Sequence, residues 1–124
     1  MSEPEHFEIL ENHAVFRPTG EVSLEQVVQL AKAAVVFARE QHVRKLLVDM
    51  TGATGYASPS VTERYYIGKE WARAAESSIR VACVARPNVI DPQKFEVLVA
   101  KNVGAVGDIF ESEEEALAWL LSRK

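Results

Sequence analysis

Two hydrophobic periods alternate along the chain. Phe7 and Ile9, followed by Ala14-Val15-Phe16, predict a short hairpin with Glu11-Asn12-His13 as its turn. From Ser23 the period lengthens. Leu24, Val27, Val28, Ala31, Ala34, Val35 and Ala38 recur at three- and four-residue steps and so share one face of a helix. Ser23, with Gln26 three residues on, reads as a capping box that starts it. Arg44 to Asp49 contains Leu46-Leu47-Val48, and Ile79 to Arg86 is a similar run. A strand apolar on both faces belongs inside a parallel sheet covered by helices.

Turn residues and caps mark the remaining boundaries. After the turn-rich stretch Gly52 to Tyr56, Ser58-Pro59 places a good cap directly before a proline suited to the first helical position. The helix it opens is predicted to run to about Glu76, with Val61, Tyr65, Gly68, Ala72 and Ala75 inward. Asp91-Pro92 repeats the signal before Phe95, Leu98, Val99 and Val103, and Gly104 suits the left-handed closing residue. A strand from Val106 to Phe110 follows. Ser112 and Glu115 form another capping box, before a final helix that buries Ala116, Leu117, Trp119 and Leu120. This order predicts a single α/β domain over residues 1–124. Its sheet is mostly parallel, of about five strands, with an antiparallel N-terminal strand and four helices that right-handed crossovers place over both faces.

Composition narrows the partners. Fourteen Lys and Arg against eighteen Asp and Glu leave a net charge of -4, which removes the electrostatic case for nucleic acid or an anionic membrane. No apolar run approaches the length of a membrane span, and the start lacks the pattern of a signal peptide. The single cysteine, Cys83, excludes an internal disulfide and a Cys-rich zinc site, so the default compartment is the cytoplasm. Histidine spacing suggests no metal site. Gly52-Ala53-Thr54-Gly55 lacks the lysine of a phosphate-binding loop, and no cofactor is expected.

Ligands of open α/β sheets bind beyond the carboxyl ends of the strands, where Arg17, Asp49 to Ser60 and Arg86 to Ile90 should gather. Helix dipoles there favour anions. Three helix entrances carry their own acid: Glu25, Asp91 and Glu113 to Glu115. The second, Ser58 to Thr62, has none before Glu63, so its amides are expected to be open to an outside anion, with Arg64 and Arg86 close by. Ser58, Ser60, Asp49, Thr51, Thr62, Arg64 and Arg86 are therefore the candidates for a ligand or phosphoacceptor site. Plain capping, with both arginines solvated, explains the same residues. Asp49 suits either a catalytic or metal-binding carboxylate at a strand end or a loop cap for Thr51 and Gly52. His6 could serve Ser58 as a base if the hairpin brings it to this edge. Tyr56 and Tyr66 either flank the site or one of them serves a dimer contact, and Cys83 should be buried and inert.

The hairpin start, the run Leu46-Leu47-Val48-Asp49, a serine-bearing loop about nine residues later that opens a helix, and the closing stretch Phe110 to Leu120 together resemble the STAS/SpoIIAA-like superfamily. The likeness spans nearly the whole chain and is greatest to its divergent SpoIIAA-like branch of bacterial proteins. It implies a non-catalytic regulatory domain, similar to anti-sigma factor antagonists, that binds a protein partner or small anionic ligand and is switched by phosphorylation of a serine at the second helix. Ser58 matches a serine of the family's Asp-Ser-Ser-Gly-type motif, but here Ala57 precedes it and Pro59 follows in place of the acid and the glycine. Two other readings stand beside this one: a small hydrolase using Asp49, Ser58 and His6, and a structural homodimer joined through Phe37, Val89 and Ile90.

Overall fold

The computed structural model describes residues 4–122. Strand β1 (Phe7–Ile9) runs antiparallel to β2 (Ala14–Phe16), and every later strand of the main sheet joins in parallel. β3 (Gly20–Glu21) leads into helix α1 (Leu24–Glu40), followed by β4 (Lys45–Asp49), β5 (Ala53–Thr54) and α2 (Val61–Ala75). Then come β6 (Arg80–Val84), a short 3-10 turn at Pro87–Val89, α3 (Phe95–Asn102), β7 (Val106–Phe110) and α4 (Glu113–Leu120). The five-stranded sheet has the order β1-β2-β4-β6-β7, with four helices about it, so the α/β class expected from the sequence is the observed one.

That order explains where the helices lie. Each new parallel strand is added on the same side of the last, so right-handed crossovers send α1, α2 and α3 to one face. Only α4, which follows the last strand and crosses over to nothing, is free to cover the other. Two cores result. Phe16, Leu46, Val48, Cys83 and Ile109 face the three helices, and Val15, Leu47, Ala82 and Val84 meet Ala116 and Leu120 of α4.

Several local expectations shift. α2 begins at Val61, capped by Ser60 rather than Ser58: Ser60 Oγ accepts from Glu63 N, and Glu63 Oε1 accepts from Ser60 N. Its buried stripe is also turned relative to the predicted one. Gly68, Ala72 and Ala75 are inside as expected, but Val61 is 70% exposed and Tyr65 49%, while Arg64, Ile67 and Glu70 point inward. On α3 the buried residues include Glu96 and Ala100, with Leu98 and Val103 outside. Gly104 does close this helix in the left-handed region, at φ 94°. Gly68 is where α2 and α3 touch: a Cβ there would lie 2.5 Å from Glu96 O.

The stretch after β4 is more ordered than a plain turn. β5 pairs in parallel with β3, fastening the loop ahead of α2 to the loop ahead of α1. Gly55 turns beneath it at φ 98°, and any Cβ there would sit 2.7 Å from Glu21 Cγ. Residues 53–55 thereby anchor the start of the segment that carries Ser58.

Candidate functional site

The carboxyl edge of the sheet gathers all seven candidate residues, in two separate groups. In the first, Asp49 leaves the end of β4 and its Oδ1 accepts from Thr51 N at 2.9 Å and Thr51 Oγ1 at 2.7 Å. Both of the roles open to Asp49 in the sequence could use this place, and the geometry is that of a loop cap. Glu113, at the first position of α4, joins Asp49 here. Its two oxygens accept from Arg17 Nε and Nη2 at 2.8 and 2.9 Å, a two-bond carboxylate grip across 96 residues of sequence. Arg17's hydrogen bonds, helped by Asp49, pull the Glu113 carboxyl down to about 2, whereas burial, and then Glu113 itself, push Asp49 up. One carboxylate holds the arginine; its neighbour keeps its proton longer.

The second group is built on α2. Arg64 turns into the protein, with side-chain exposure of 6%, and meets Glu96 of α3 at 5%. Its Nη1 lies 2.6 Å from Glu96 Oε2, and Nη2 donates to Val89 O at 3.1 Å and to Ser58 Oγ at 2.9 Å. Ser58 itself is exposed. A surface hydroxyl is thus tied to an ion pair in the interior. Arg86 stands on the neighbouring strand end, half-buried, its guanidinium 5.9 Å from the Tyr56 ring, with Nε unpartnered. Thr62 is exposed in the first turn of α2.

This edge differs from the sequence expectation in two respects. The entrance to α2 is not free of acid. Because the helix starts at Val61, Glu63 falls in its first turn and closes the capping box, so each of the four helices carries an acidic first turn. The vacant-amide argument for an anion falls with it. Nor are both arginines solvated, since Arg64 is buried and paired.

The alternative assemblies also change. Ser58 Oγ is held by a guanidinium, which cannot take a proton, and among the described residues it makes no hydrogen bond to Asp49 or His6. Phe37 and Val89, which a homodimer joined through them would need at the surface, are buried; Phe37 packs edge-on against Phe7 at 5.0 Å. Ile90 is half-buried against the main core. Cys83 is fully enclosed, and burial pushes its thiol up to about 12, as an inert core cysteine requires.

Sequence reasoning missed Glu96 and the Arg17–Glu113 pair. The one available signal for Glu96 was an acid on an otherwise apolar helix, Phe95-Glu96-Val97-Leu98-Val99. In the sequence Glu113 is one of three acids at a helix entrance, and nothing local announces its partner Arg17 just after β2. Set against known proteins, the chain matches no family model, no curated protein and no solved structure. No helix among the described residues is long and apolar enough to cross a membrane.

Proposed function

We propose that the chain is a non-catalytic binding domain of the SpoIIAA-like kind, meeting a protein partner or small anionic ligand at the Ser58 loop, with modification of Ser58 as its switch. One observation carries the reading: an exposed hydroxyl rests 2.9 Å from a guanidinium held in place by burial and by Glu96. A phosphoryl group on that oxygen stays within reach of Arg64 and accepts bonds between opposite charges, stronger than the present one to a neutral hydroxyl. Glu96 already offsets the arginine's charge, so the added dianion competes with Glu96 for it. Modification at the surface is then felt on α3.

Protein carrying phosphoserine at position 58 tests this. The expected result is a phosphate that ionises at lower pH than phosphoserine in a flexible peptide, together with amide shifts at Val89 and Glu96. A phosphate that titrates as in the peptide, with shifts confined to the neighbours of position 58, overturns the proposal.

A further inference from the structure

A second place in the molecule has the makings of a binding site, at the opposite, amino edge of the sheet. α4 alone covers one face of the sheet and ends at Leu120, leaving the first residues of three strands at the margin of its cover. These are Lys45, Arg80 and Val106, in-register neighbours on β4, β6 and β7, whose side chains therefore share that face. Arg80 is fixed there, its guanidinium 4.6 Å from the Trp119 ring and its Nη1 donating to Ser122 O at 2.9 Å. With Arg44 and Ile79 they line an open surface concavity of about 310 Å³, against about 40 and 60 Å³ for two interior gaps. Small-ligand clefts start at roughly this size, on the order of 300 Å³.

Its charge is unbalanced. Strands lie about 4.8 Å apart, so Lys45 and Arg80 are like charges side by side, an arrangement that costs stability unless an anion relieves it. Among the described residues no acid lines the concavity and Arg44, Lys45 and Arg80 form no ion pair, in a chain whose net charge is -4. Arg80 Nε is buried with no partner. The hydroxyls of Ser77, Ser78 and Ser122 donate to backbone carbonyls, so a guest is held by the N–H groups of the three cations.

We infer that this concavity binds a small phosphomonoester with an apolar body. Three cations lining one concavity match a dianion better than a single carboxylate, and Val106, 48% exposed, offers the apolar body a surface. An open concavity of this volume takes one small molecule, whereas the acidic remainder of the chain repels an extended polyanion.

Amide spectra of the full chain titrated with phenyl phosphate and with inorganic phosphate test the inference. Saturable shifts are expected at residues 44–45, 78–80, 106 and 122, with phenyl phosphate bound roughly tenfold more tightly because its ring covers Val106. The double variant Arg44→Gln, Lys45→Gln should weaken both ligands at least about tenfold with the melting temperature kept, since neither side chain makes an ion pair among the described residues. Ser58→Ala should leave binding intact. Shifts confined to residues 55–64, undiminished binding by the double variant, or adhesion to phosphatidylserine vesicles without binding of the free phosphomonoester would each overturn it.

Discussion

Burial decides what Arg64 does. A guanidinium and a carboxylate withdrawn from water lose hydration worth several kcal/mol each, and their close contact, with the bonds from Arg64 to Val89 O and Ser58 Oγ, offsets the loss. Removing one partner should therefore cost more than removing both. Glu96→Leu alone is expected to lower stability by about 3–5 kcal/mol, whereas Arg64→Met together with Glu96→Leu should recover most of it. Urea unfolding of the two variants checks this, and a double variant no more stable than the single one contradicts it. The pair was illegible in the sequence because a charged residue is assigned to the outer face by default. Its partner lies 32 positions away, and that contact turns the helix so that Arg64 enters and Tyr65 leaves.

At the scale of elements, most boundaries could be read, and the informative failure is the start of α2. Ser58-Pro59 and Ser60 both offer a cap. Pro59 is compatible with either, but only Ser60 has a glutamate three residues on to return the bond. The box Ser60-Val61-Thr62-Glu63 was present in the sequence, overshadowed by the stronger-looking proline signal. Ser60→Ala is accordingly expected to destabilise the protein by about 1 kcal/mol. Ser58→Ala should cost clearly less, because Arg64 Nη2 retains Val89 O. Thermal melts of the two variants decide between the caps, and the reverse ranking would restore Ser58 as the N-cap. The β3–β5 pair escaped notice for a different reason: two residues on each side are too few to show any period.

For the whole molecule, the uniform direction in which strands are added leaves one face to three helices and the other to α4 alone. α4 is then docked at its entrance through Glu113, Arg17 and Asp49, and these groups make stability depend on acidity in two opposite senses. Glu113 ionises more easily in the folded chain, so the stability it contributes is full above its ordinary value of 4.5 and fades as pH falls toward about 2. Asp49 ionises less easily when folded, so its contribution is full below 3.8 and is lost as pH rises through its raised value. Glu113→Gln should thus be less stable than wild type near neutral pH, with the gap closing in acid. Asp49→Asn, which keeps the acceptor for Thr51, should gain on wild type as pH rises from about 3 to 7. Denaturant midpoints across that range check both slopes, and parallel curves for all three proteins would show that the carboxylates do not share the site.

Periodicity, caps and β-rich apolar runs are local quantities, and through them the sequence alone determined the class of fold, the order of elements, the antiparallel first strand and the edge where Asp49, Ser58 and Arg86 gather. Strand rank, the rotation of α2 and α3 about their axes, the Arg64–Glu96 and Arg17–Glu113 pairs and the basic concavity at Lys45 and Arg80 were decided only by tertiary structure. Each of these depends on which distant side chains come within a few ångströms of one another, and a charge's preference for water or for a partner cannot be settled until the chain has brought that partner into place.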